Sequence, residues 1–310
     1  MKAAKCLLVA GIIAVAFSSV MAESLTSPIQ GKVGYSFMSD YMWRGLNMSR
    51  ILGNNLGGGA QEMTYAAGIN LADLSPDYSG QVWVTYQQAY FNHFDFTDAH
   101  EAKNDISVSY TNAVPFLDAD WTIAYRYYSW NAVKTINAVA FPNMHLNTQE
   151  ITLQLALNDG CWWKSATGAD MGKRVLNPTF QYVYDYDLAD NGGLLLFGLS
   201  HAFDLAEVFG PDLTGLSLTP SWQVAMDNRF YKRYVNGLAG ENILDDEGTT
   251  KVAYMEYGLN LGADISKMAS MKSGKLTLNG GVAFVNAFEK IAKNVLTDQL
   301  YSYVNVQYKW

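Results

Sequence analysis

The sequence predicts an all-β protein, a single closed antiparallel transmembrane β-barrel of about twelve strands. Three observations point there. Segments of alternating apolar and small or polar residues recur from end to end. Aromatic residues reach 14% while charged residues stay at 16%, with no long apolar run after residue 22. The chain closes on Tyr-Val-Asn-Val-Gln-Tyr-Lys-Trp, an alternating octapeptide ending in an aromatic.

The first 22 residues read as a secretory leader. Lys2 and Lys5 form a positive start, Leu7 to Phe17 an apolar stretch, and Val20-Met21-Ala22 a small-residue cleavage site. That stretch is too short for a membrane helix, which needs about 20 apolar residues to cross roughly 30 Å. Residues 1–22 are therefore a signal peptide and 23–310 a single barrel domain with no linker. Cys6 leaves with the leader. Cys161 is then alone, so an intrachain disulfide is excluded, and its setting between Gly160 and Trp162-Trp163 suggests a buried or interfacial thiol.

The composition excludes one function class. Lysine and arginine number 21 against 29 acids, a net charge of −8, and loss of Lys2 and Lys5 makes the mature chain more acidic still. Phosphate neutralisation needs a net basic face, so no nucleic-acid partner is expected. Soluble domains carry about 25% charged residues. Twenty tyrosines and 8 tryptophans with a mean hydropathy of −0.04 suit a wall that faces lipid outside, with aromatic girdles, and turns polar residues inward.

Alternation locates the strands. Trp121–Tyr127, Ile151–Leu157 and Phe180–Tyr186 each place apolar or aromatic residues on one face and small or polar ones on the other. Leu216 to Met226 does so through Pro220. Twelve such segments begin near residues 32, 63, 80, 104, 120, 148, 177, 192, 214, 250, 274 and 299, with ten or fourteen strands as the alternatives. An even count suits a barrel with both termini in the periplasm. Residues 46–62, 92–103, 131–147, 228–249 and 286–298 then form outer loops, and 72–79 and 114–119 periplasmic turns. Two connections break this rhythm: 158–176 is long where a turn is expected, and 188–191 is short where a loop is expected.

The last strand puts Val304, Val306, Tyr308 and Trp310 on one face, where a terminal ring suits a membrane interface. This resembles the C-terminal signal by which outer-membrane proteins are recognised for insertion. The first mature strand carries a second likeness. Gly34 to Asn47 reads Gly-Tyr-Ser-Phe-Met-Ser-Asp-Tyr-Met-Trp-Arg-Gly-Leu-Asn. It resembles the N-terminal signature of the TorF-type porin family, in which Ser-Asp-Tyr, two apolar residues and Arg-Gly end a short strand. Ser39, Asp40, Tyr41, Arg44 and Gly45 match, while Leu46-Asn47 replaces the Ile-Ser often found next. The resemblance implies an outer-membrane barrel with a porin role.

On a continuous strand Asp40 and Arg44 share a face, and Tyr41 and Trp43 the other. A charge on the lipid face near the midplane costs roughly 2–4 kcal/mol, so the charged pair is expected inward and the aromatics in the outer girdle. The same logic turns Arg126, Asp185 and Glu256 into the lumen, where they form either a charged constriction or a salt-bridge network that holds a narrow barrel closed. His93, His100, His145 and His201 have no serine or carboxylate placed beside them in a recognisable order, and no short metal-site spacing. Asp245-Asp246-Glu247-Gly248 lacks the alternating spacing of a calcium loop, and Gly57-Gly58-Gly59 lacks the lysine of a phosphate loop. No catalytic residue, metal or cofactor is expected, and an outer-membrane hydrolase is a distant alternative.

The function expected is passive diffusion of small hydrophilic solutes or ions, with a closed barrel in a structural or surface-interaction role as the runner-up. The expected partners are outer-membrane lipid and lipopolysaccharide, periplasmic chaperones, the barrel-assembly machinery and the solutes themselves. The solute and the oligomeric state are left open.

Overall fold

A computed structural model of the chain describes residues 29–44, 46–48, 59–91, 100–130, 147–168, 172, 174–187, 189, 191–231, 251–288 and 298–310. Residues 1–28, His93, His145 and the 245–248 segment lie outside them. Twelve strands build the wall. They are β1 (Ile29–Met38), β2 (Ala60–Asn70), β3 (Gln81–Phe91), β4 (His100–Val114), β5 (Ala119–Trp130) and β6 (Thr148–Leu157), followed by β7 (Thr179–Asp185), β8 (Gly192–Ser200), β9 (Leu216–Asn228), β10 (Lys251–Asp264), β11 (Lys275–Ala287) and β12 (Gln299–Lys309). Each pairs antiparallel with the next, and a two-residue strand, Phe203–Asp204, continues beside β9. The expected count and rhythm hold. Strands alternate direction throughout, so neither irregular connection shifts the phase: the 158–178 segment lies at the end that holds Ile29 and Trp310, and the 186–191 connection at the opposite, far end.

The sheet closes through β1 and β12, in register from Lys32 opposite Lys309 to Met38 opposite Tyr303. The seam is finished by the last residue. Gly31 and Trp310 exchange two backbone hydrogen bonds of 3.0 Å, and the Trp310 indole lies where a Cβ on residue 31 would stand, about 2.0 Å from its ring carbons. Glycine at 31 is therefore what lets the terminal aromatic lie flat on the wall. Tyr308 stacks on Trp310 at 5.8 Å and covers Gly274, so its ring is buried although its register is outward.

Register assigns the two faces. Val304 and Val306 are exposed, and so are Val84, Ile106, Ile123 and Leu259, all in the outward register of their strands. Many inward positions carry Thr, Ser, Gln, Asn and Gly near the terminal end, and several become buried near the far end. On β4, Lys103, Asp105 and Ser107 are buried while Ser109 and Thr111 are half-exposed. Pro220 is tolerated in β9 because its carbonyl accepts from the His201 N–H just beyond the end of β8, so the N–H it lacks would face a place where that strand has stopped.

The long terminal-end connection has its own scaffold. It forms α1 (Gly160–Thr167) and returns to β7 around the Asp159 carboxylate, which accepts from the backbone N–H of Val175 (2.8 Å), Leu176 (2.8 Å) and Asn177 (3.3 Å) and from Trp163 Nε1 (2.9 Å). Burial works to raise the Asp159 pKa, and these N–H donors outweigh it, leaving it below the usual carboxylate value. Its contribution is complete above the unfolded pKa of about 3.9 and is lost as pH falls through the lower folded value. Asp159→Asn is expected to cost about 2 kcal/mol at pH 7. Urea unfolding of the variant and the wild type, compared at pH 7 and at pH 3, measures this. Cys161 on α1 is exposed, with Sγ 3.7 Å from the Asn158 carbonyl, which corrects the expectation of a buried thiol.

Candidate lumen constriction

The motif region does not continue β1. After Met38 the chain makes one more seam contact, Ser39 N–H to the Ser302 carbonyl at 2.8 Å, and then turns into the barrel as a tight hairpin. Met42 pairs with Asn47 and Trp43 with Leu46, and the Met48 N–H donates to the Tyr41 carbonyl at 2.9 Å. Arg44 begins the two-residue turn with φ 51°, the left-handed geometry that short hairpin turns demand. Tyr41, Trp43 and Met48 are buried inside the lumen, at 6%, 5% and 0% exposure. This corrects the expected placement of Tyr41 and Trp43 in an outer girdle. It also corrects the idea that Asp40 and Arg44 share one strand face, since the strand has ended before either.

The hairpin is held by packing and by charge. The Trp43 ring meets Tyr128 edge-on at 5.6 Å and Phe230 at 5.8 Å. Phe230 and Tyr231 start the next long connection, where the Asp227 carboxylate accepts both of their N–H groups, and the Tyr231 hydroxyl donates to the Arg44 carbonyl. Arg44 Nη2 pairs with Glu150 Oε2 at 2.9 Å, with Glu150 1% exposed, and the Tyr128 hydroxyl donates to the same oxygen at 2.7 Å. Burial works against the Arg44 cation, but Glu150 outweighs it and raises the Arg44 pKa, so the guanidinium stays charged. Tyr41 joins the opposite wall: Lys103 Nζ donates to its hydroxyl at 2.6 Å, and that hydroxyl donates to Glu62 at 3.2 Å. Burial first, and Glu62 second, push the Tyr41 phenol well above its ordinary pKa. Lys103 also pairs with Asp105 at 2.5 Å, and its ammonium sits over the rings of Tyr41 and Tyr128 at 5.0 and 4.8 Å. The arrangement narrows the far half of the lumen with a fixed, charge-compensated plug.

The sequence-selected residues divide around this plug. Arg126 lies on the inward face of β5, next to the plug, and donates from Nη1 to the Tyr128 hydroxyl at 3.4 Å. Asp185 ends β7, fully buried, and accepts from Thr148 at 2.6 Å and from the N–H groups of Asp187 and Ala189. Its contacts order the short 186–191 turn rather than line a passage. Glu256 lies on the inward face of β10 with the Tyr301 hydroxyl as its hydrogen-bonding neighbour. Asp40 is half-buried at the hairpin base and accepts from Ser39 Oγ at 3.3 Å. Arg44 reaches across the lumen to an ion pair with Glu150 on β6.

Four charged residues of the plug escaped sequence reading: Glu62, Lys103, Asp105 and Glu150. Their alternation signal was present. Glu150 sits two positions before Thr152 on the polar face of β6, and Lys103 and Asp105 flank Asn104 with the spacing of one face. Phe230 and Tyr231 gave no signal, because an aromatic pair just past a strand reads as interface girdle.

Among the described residues no group of three or more His, Cys, Asp or Glu is placed to hold a metal ion. His201 directs Nδ1 to the Val175 carbonyl and packs on Phe203 at 4.2 Å, which occupies it structurally.

No family model matches the chain, and no curated protein does. Solved structures that share its course include the NanC porin, at 13% identity and a TM-score of 0.41 over 91% of this chain and 100% of that one. The outer membrane protein Omp33 of Acinetobacter baumannii follows at 10% identity, TM-score 0.31, over 91% and 97%. OprB of Pseudomonas putida gives 9%, 0.33, and 91% and 93%. At these values the likeness adds nothing to what the strand register already establishes.

Proposed function

We propose that the chain is an outer-membrane, porin-like conduit for small hydrophilic solutes or ions, exported on the 1–22 leader, with the hairpin at Tyr41–Met48 setting its narrowest point. The observation that carries this is the division of the wall. Outside, exposed Val, Ile, Leu and Phe side chains ring the barrel, an arrangement that water disfavours and lipid requires. Inside, from the terminal end up to the plug, the wall is mostly Ser, Thr, Gln, Asn and Gly, with lysines at its rim, and is partly open to solvent. The match of Ser39, Asp40, Tyr41, Arg44 and Gly45 supports placement beside the TorF-type porins, and of these Tyr41 and Arg44 belong to the plug.

A second reading, a closed barrel without transport, is favoured by the depth at which Trp43 and Glu150 are buried. Planar-bilayer recording separates the two. Discrete conductance steps are expected for the purified chain, and silence at every voltage overturns solute passage in favour of the closed barrel. Within a conducting barrel Arg126 contributes positive charge beside the plug, so Arg126→Gln is expected to shift the reversal potential in a salt gradient toward cations. An unaltered reversal potential removes Arg126 from the conducting path.

A further inference from the structure

Three lysines meet at one level inside the terminal-end mouth. Lys32 on β1 stands directly opposite Lys309 on β12, and Lys309 stands directly opposite Lys275 on β11. All three are inward. Their sequence neighbours Val33, Tyr308 and Leu276 occupy the outward register, and Lys309 Nζ lies 5.4 Å from the ring of Trp83, which belongs to β3 and can be reached only across the concave side. Adjacent strands are about 4.8 Å apart, so three ammonium groups share a patch about 10 Å wide.

Like charges directly opposite one another destabilise a sheet, and a protein with a net charge of −8 has acids to spare for compensating them. It does not spend them here. Lys275 has Asp264 at 3.5 Å, and among the described residues neither Lys32 nor Lys309 makes an ion pair. Glu62, the acid whose field reaches Lys32, is engaged by Tyr41 and Gln87. On the facing wall Asp120 is paired with Arg174 at 2.5 Å. A local rule broken at a solvent-open site without compensation marks a place for a ligand. We infer that Lys32, Lys309 and Lys275 form a binding site for a small oxyanion carrying two or more negative charges, a phosphate or carboxylate compound, entering from the terminal end. Trp83, lying flat on Gly68, gives the site an aromatic floor beside Lys309.

The site is independent of passage through the plug, because Lys275 and Lys309 are exposed at the terminal end whether or not the far end conducts. Its test is therefore binding, with inorganic pyrophosphate titrated calorimetrically into the full-length chain in a neutral detergent, at constant ionic strength set by chloride. Saturable binding is expected. Lys309→Gln and Lys32→Gln should each weaken it about tenfold, the value of one charge-assisted contact. Asp264→Asn, which removes the competing carboxylate, should tighten it. Folding of each variant is checked by heat-dependent migration on a gel. The absence of saturable binding at millimolar pyrophosphate overturns the inference, and so does an affinity that all three variants leave unchanged. A barrel that binds but never conducts refutes solute passage and leaves this site standing.

Discussion

Replacing Tyr41–Asn47 by a short glycine-serine link is expected to raise single-channel conductance several-fold while the barrel still forms. The wall does not need the hairpin. β1 keeps its ladders to β2 and β12, which span Ile29 to Met38 and Lys32 to Met38. What the replacement removes is the material that fills the far lumen, the Tyr41 and Trp43 rings and the Arg44 guanidinium. Barrels of about eight strands are filled by side chains and those of sixteen or more carry open channels, so a twelve-strand wall has room to conduct once an inserted segment is gone. Phe230 and Tyr231 lose their partners on Trp43 and the Arg44 carbonyl and are released from the plug as well. Recording both forms in the same bilayer and salt decides it. Equal conductance would mean that flow, if any, is limited elsewhere, and the hairpin would have no part in setting it.

The barrel was legible because its rule is local. Period-two alternation and turn chemistry act over a few residues, and they located the strands to within four residues of their observed starts. The closing strand illustrates this: Val304 and Val306 turned outward as their alternation requires. The plug was not legible for the opposite reason. Asp40 to Arg44 alternates as a strand would, and nothing within that stretch reports that Arg44 finds a carboxylate 106 residues away on β6. The left-handed backbone at Arg44 is the local trace of the turn, and Arg-Gly is its sequence form, yet that pair also suits a strand end. The connection at 158–176 misled through its length, because a segment pinned by one carboxylate and a two-turn helix occupies the same end as a tight turn. Long-range compensation between charges on different strands is invisible to periodicity, which is why Glu150 and Lys103 emerged only from the assembled wall.

The ion pair between Arg44 and Glu150 yields the other large effect. Glu150→Ala removes the Oε2 acceptor shared by Arg44 Nη2 and the Tyr128 hydroxyl. The Arg44 cation is then left in the plug beside Tyr128 without its counter-charge. Removing one partner of a buried pair costs about 3–5 kcal/mol, because the remaining charge must be desolvated unpaired. The barrel can avoid that cost by withdrawing the hairpin to water, so Glu150→Ala is expected both to lower thermal stability and to raise conductance or the frequency of open events. Replacing both partners by apolar groups of similar volume avoids the unpaired charge, and such exchanges are often neutral. Arg44→Met with Glu150→Leu should therefore recover most of the lost stability and return the barrel to its narrow state. The cycle distinguishes charge from packing. If Glu150→Ala and the double variant lower the unfolding midpoint equally, Glu150 serves only to fill space, and the electrostatic latch on the hairpin does not exist.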